Sequence, residues 1–118
     1  MFTEHLKSVV DEVDGGVGAL LMGLDGIAID SYVADGNKMD ITTLGMEFSF
    51  ILGQVKKASD ILRLGGVNEL TIKAESLVLV VRMINPDYFL AVVLGAEGNY
   101  GKCRFLMRLA HPRLVAEL

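Results

Sequence analysis

Gly15-Gly16-Val17-Gly18-Ala19-Leu20-Leu21-Met22-Gly23-Leu24-Asp25-Gly26-Ile27-Ala28-Ile29-Asp30-Ser31 reads as a glycine-rich turn, an apolar strand, an Asp-Gly turn and a second strand. Asp and Gly both tolerate positive φ, so Asp25-Gly26 predicts a two-residue hairpin loop between strands at Val17 to Leu24 and Ile27 to Val33. Upstream, Phe2, Leu6, Val9, Val10 and Val13 recur at helical spacing, with Thr3 as N-cap and Gly15-Gly16 as the stop. Downstream, a polar loop from Ala34 to Lys38 leads to Asp40. That residue caps a predicted helix running to about Leu64, where Gly65-Gly66 ends it.

Three strand patterns follow. Val67 to Ala74 alternates, with Leu70 and Ile72 on one face and Glu69, Thr71 and Lys73 on the other. Leu77 to Ile84 is apolar apart from Arg82, and Tyr88 to Leu94 is apolar throughout. Glu75-Ser76 and Asn85-Pro86-Asp87 are turn signals. A last helix is expected from about Tyr100 to Ala110, interrupted by Pro112, with Arg113 to Leu118 able to add a last turn. Short turns make these neighbours antiparallel. An antiparallel sheet with one wet face alternates in polarity. The first, fourth and fifth strands do not, so helices must cover both faces. The third strand alternates and carries charge, which marks it as an edge or near-edge strand.

Composition bounds the function. The chain has 118 residues, 52% of them hydrophobic, and a mean hydropathy of +0.45. That length suits one domain spanning 1–118. The apolar share slightly exceeds the usual ~45–50%, which points to a face turned toward another subunit. No apolar run reaches the ~18 residues of a membrane span, so no membrane insertion is expected. The N-terminal residues lack a basic region followed by an apolar one, so no secretory signal is expected. Net charge −4 with pI about 5.0 argues against nucleic acid. One cysteine, Cys103, cannot form an internal disulfide and fits a cytoplasmic setting.

The long helix carries two apolar sets. Ile41, Leu44, Phe48, Ile51, Val55, Ala58 and Leu62 form a stripe expected to pack on the sheet. Met46, Phe50, Ile61 and Leu64, with Gly53 and Lys57 among them, lie elsewhere. At 100° per residue this second set sits about 140° to 200° from Ile41, whereas the stripe spans about 260° through 20°. Four aligned large apolar residues on an otherwise solvated face are expected to form an interface; the alternative is that the N- or C-terminal segment of the same chain covers them.

The order helix, hairpin, long helix, three strands, helix resembles the roadblock/dynein light chain domain family. So do Gly18 to Ser31 and the lead-in to the last helix, Gly98-Asn99-Tyr100-Gly101-Lys102-Cys103-Arg104-Phe105. The likeness covers about Phe2 to Ala110. It implies a profilin-like α/β (α+β) fold, a five-stranded antiparallel sheet with helices on both faces. It also implies dimers in which the long helices pack antiparallel and the third strands join two sheets. On that basis Met46, Phe50, Gly53, Lys57, Ile61 and Leu64, with Glu69, Thr71 and Lys73, are the expected dimer interface. Family members are typically non-enzymatic. Bacterial ones commonly act beside a small Ras-like GTPase; eukaryotic ones serve in dynein light chains and signalling scaffolds.

Other motifs point to no chemistry. Gly95 to Cys103 follows a strand, opens a helix and contains Gly101-Lys102, as a phosphate-binding loop would. That loop needs four residues between its glycines and Ser or Thr after the Lys; here Ala96 and Cys103 break the pattern and Glu97 adds negative charge. Gly15-Gly16-Val17-Gly18 precedes a strand, the wrong order for a dinucleotide fingerprint. His5 and His111 have no ligands at metal-binding spacing. Asp11, Glu12 and Asp14 read as a solvated helix end. No catalytic residue, cofactor or metal is expected. Lys56, Lys57 and Arg63 are the cations best placed to meet an acidic partner. Arg63 and Arg82, the only arginines before residue 104, lie in no obvious mobile loop that could deliver a catalytic guanidinium. The expected function is regulation of a small GTPase by a homodimer, possible stimulation of GTP hydrolysis included. The alternative is a scaffold or dynein-light-chain-like cargo adaptor. A small-molecule sensor fits least, because the interior positions are uniformly aliphatic.

Overall fold

The computed structural model describes residues 2–118; Met1 lies outside the described residues. The elements are α1 (Phe2–Glu12), β1 (Gly16–Gly23), β2 (Ala28–Val33), α2 (Ile41–Leu62), β3 (Glu69–Lys73), β4 (Leu77–Met83), β5 (Tyr88–Gly95) and α3 (Tyr100–Glu117). The strands form one antiparallel sheet in the order β2-β1-β5-β4-β3. The three non-alternating strands are its centre and the alternating β3 is an edge, as the polarity pattern required. Thr3 lies within α1 rather than capping it, and its hydroxyl donates to the Asp30 carboxylate on β2.

The first hairpin differs in detail from the two-residue loop. Asp25 keeps a negative φ and only Gly26 is left-handed, at φ 84°. The Gly26 N–H donates to the Gly23 carbonyl, and the Gly23 N–H donates to Ile27 O, both at 3.0 Å. This is a three-residue loop closed by a left-handed glycine, the next commonest hairpin geometry. The Asp25 carboxylate accepts from the Ile27 N–H at 3.0 Å and so favours the longer loop.

Two cores lie on opposite faces of the sheet. On one, α1 and α3 cover Ala19, Leu21, Val78, Val80, Leu90, Val92 and Leu94. On the other, α2 covers Leu20, Met22, Leu79, Val81, Phe89, Ala91 and Val93. Helix α2 starts on Asp40, whose carboxylate accepts from the Thr43 N–H at 3.1 Å and the Thr43 hydroxyl at 2.7 Å. It stops at Arg63 rather than at the glycine pair. Arg63 takes the left-handed conformation at φ 56°, and the Leu64 N–H donates to Ser59 O at 3.0 Å.

Helix α3 runs through Pro112 without a break, contrary to the expected interruption. Proline in a helix interior costs about 3 kcal/mol. Leu114, two residues beyond, is fully buried, and burying a leucine returns about 1.5–3 kcal/mol. The packing of that last turn offsets the local penalty.

Candidate functional site

Helix α2 seats on the sheet through small residues. Its buried positions are Ile41, Gly45, Ser49, Leu52 and Ser59. A Cβ at Gly45 would lie 2.0 Å from Leu20 Cδ2, so backbone and sheet meet there with no room for a side chain. The buried arc is therefore rotated from the expected stripe. Ile41, Leu44, Phe48 and Val55 do face inward, but Ile51, Ala58 and Leu62 are exposed. A stripe drawn from hydrophobicity alone misses this, because Gly and Ser score as neutral.

Met46, Phe50 and Ile61 lie on the face where the spacing placed them, whereas Leu64 lies beyond the helix, past the left-handed Arg63. Met46 is 55% exposed, Phe50 68%, Ile61 72% and Leu64 72%. Nothing lies within 4 Å of a Cβ built on Gly53, and Lys57 is exposed. From Ala58 to Leu64 only Ser59 is buried, its hydroxyl donating to Gly65 O at 2.7 Å. The C-terminal third of α2 thus stands clear of its own chain.

The three cations do not converge. Lys56 is half-buried and donates to Pro86 O at 3.1 Å, tying α2 to the β4–β5 turn. Lys57 points a quarter-turn or more away, by about 100°. Arg63 is exposed in the left-handed cap.

At the sheet edge, β3 pairs only with β4. Its inward residues Leu70 and Ile72 pack against the core on the α2 side of the sheet. Its other side chains turn toward α3. Glu69 meets Arg82 at 3.7 Å and Arg104 at 3.4 Å, while Lys73 Nζ lies 5.6 Å from the Tyr100 ring centre. Thr71 is exposed. What β3 leaves open is its backbone edge, an unpaired row of donors and acceptors.

Sequence reading missed two features. Arg82 Nε donates to His111 Nδ1 at 3.1 Å, which joins Glu69, Arg82, Arg104 and His111 into one cluster across β3, β4 and α3. Burial first, and the adjacent Arg82 second, hold His111 below its ordinary pKa. Phe105 and Leu109 are also exposed on α3. Their spacing of four, off the buried stripe of Cys103, Met107, Ala110 and Leu114, was the available signal.

Among the described residues no three His, Cys, Asp or Glu side chains group to hold a metal. No helix of the described residues is long and apolar enough to cross a membrane. Cys103 is buried, and burial pushes its thiol up to about 12, so it is a packed side chain and no nucleophile.

No protein-family model and no curated protein sequence matches the chain. Solved structures do. MglC from Myxococcus xanthus is 37% identical, over 99% of this chain and 98% of its own, with a TM-score of 0.73. The gliding protein MglB from Thermus thermophilus is 19% identical over 97% of this chain and 85% of its own, with a TM-score of 0.86. A Roadblock/LC7 domain from Streptomyces avermitilis is 19% identical over 94% and 95%, with a TM-score of 0.77. The architecture is also that of profilin. The fold, the order of its elements and the identity to MglC over nearly the full length of both chains agree: this chain belongs to the roadblock/LC7 family.

Proposed function

We propose that the chain is a homodimer that regulates a small Ras-like GTPase without being an enzyme itself. The observation that carries the dimer is the bare outer face of α2. Met46, Phe50 and Ile61, with Leu64 just beyond the helix, are about two-thirds exposed, so covering all four on each protomer would yield on the order of 8–16 kcal/mol. That is of the size of the ~4–15 kcal/mol cost of association.

The face is also self-complementary. Met46 and Ile61 lie symmetrically about Gly53 and Gln54, as do Phe50 and Lys57. Antiparallel pairing about that centre sets Met46 against the partner's Ile61. It sets Phe50 against the stem and ammonium of the partner's Lys57, a cation–π arrangement. Gly53, with open space above it, allows the helices to cross closely. The open β3 edge would then extend one sheet into the other.

The GTPase partner rests on membership of the roadblock/LC7 family, whose bacterial members commonly act beside a small Ras-like GTPase. With Lys57 committed to the pairing face, Lys56 and Arg63 flank it as candidate contacts. A regulator must prefer one nucleotide state, since equal affinity for both shifts nothing. Titration calorimetry with the organism's Ras-like GTPase, loaded with GDP or a GTP analogue, tests this. A preference for one state is expected. Lys56→Glu with Arg63→Glu should slow association and weaken its salt dependence while the dimer persists. Equal affinity in both states, or none, would leave a scaffold or cargo adaptor in place of the regulator.

A further inference from the structure

We propose that the outer face of α3 is a second docking surface, independent of the α2 face, and that its occupant is an acidic amphipathic helix of a partner protein. Phe105, Leu109, Pro112 and Ala116 recur at spacings of four, three and four, and all are exposed. At 100° per residue they fall within about 60° of one another and make a ridge about 16 Å long. Lys102 and Arg113 flank the ridge on the side toward α1, and Arg108 flanks it on the other. All three are exposed, and none makes an ion pair within the described residues. In a chain of net charge −4 this is a concentration of unpaired positive charge beside apolar surface.

A groove of about 240 Å³ runs beside the ridge, between α1 and α3. Val9, Leu106 and Leu109 line its apolar part, and Glu12 and Arg113 stand on opposite walls. Leu109 belongs to both ridge and groove, so one apolar side chain of an occupant can drop behind it.

Charge selects the occupant. A second α3 would bring like charges together around the ridge. The outward residues of α1, Thr3, Glu4, Lys7, Ser8, Asp11 and Glu12, are all polar and offer a ridge nothing to bury. A flat anionic lipid surface would be pulled by Lys102, Arg108 and Arg113 but would also meet Glu12 on α1 and could not enter the groove, whereas a single helix can lie along the ridge itself. A helix with an apolar stripe over three turns and carboxylates on both flanks satisfies ridge and cations together. Because α1 and α3 lie on the sheet face opposite α2, pairing through α2 leaves this surface free.

The test uses the full chain and a synthetic helix carrying leucines at i, i+4, i+7 and i+11 with glutamates flanking them. Controls are the same helix with lysine flanks, and vesicles containing phosphatidylserine. Binding of the glutamate helix alone is expected, weakening as salt is raised. Leu109→Ala, or Arg108→Glu with Arg113→Glu, should each weaken it by about tenfold or more. These positions are exposed, so thermal midpoint and oligomeric mass should not change. Equal binding of both peptides, binding of neither, vesicle binding, or indifference to the variants would overturn the proposal.

Discussion

Gly45 and Gly53 lie on one helix with opposite consequences. At Gly45 the sheet is so near that any side chain displaces Leu20 and Met22. Gly45→Ala should lower unfolding free energy by about 1–3 kcal/mol in urea titration, the usual cost of overpacking. Gly53→Ala meets open space within its own chain. It should raise the stability of the isolated protomer by up to about 1 kcal/mol through helix propensity, yet weaken self-association. Arg63 spends energy on a left-handed backbone that glycine would adopt freely. Arg63→Gly should stabilise the fold by about 1 kcal/mol, so any loss of partner binding in that variant reports on the side chain alone. His111 makes stability depend on pH. Its folded value lies below the ordinary 6.5, so between the two values the unfolded chain binds more protons. Stability should be undiminished by this group above pH 6.5 and fall as pH drops below it. Thermal melts should show that slope, and His111→Gln should remove it.

At the scale of elements, strands were more legible than helix orientations. Val78 to Val81 and Phe89 to Leu94 are continuous aliphatic and aromatic runs, and such runs can only be central strands covered on both faces. Leu70 and Ile72 alternating with charge marked β3 as the edge. The face of α2 was harder, because Gly45, Ser49 and Ser59 contact the sheet by being small, a property that hydrophobic patterning does not register. The exposure of Met46, Phe50, Ile61 and Leu64, the residues proposed for the dimer interface, was legible for the converse reason: they are large and lie where their own chain supplies no cover. The ridge on α3 was obscured by its proximity to Pro112, which reads locally as a helix end. Only the burial of Leu114 carries the helix past it. Leu114→Ala should therefore cost about 2–5 kcal/mol and lose helical circular dichroism from the last turns.

At the scale of the molecule, the chain assigns its two layers to different tasks. One face of the sheet is sealed by two helices, and the other is covered by a single helix that leaves Met46, Phe50, Ile51, Ile61 and Leu62 turned outward. On the function proposed above, such a molecule would transmit by contact, with α2 and a strand edge turned to a copy of itself and the combined surface turned to a GTPase. Everything in that account depends on the pairing of α2. The direct measurement is mass by light scattering across a micromolar concentration series, for the native chain and for Phe50→Asp. The native chain should weigh twice the 12.8 kDa of one protomer, and Phe50→Asp should weigh 12.8 kDa while keeping its mixed α/β circular dichroism. A native chain of 12.8 kDa throughout the series, or a Phe50→Asp variant that stays at twice that mass, would contradict it.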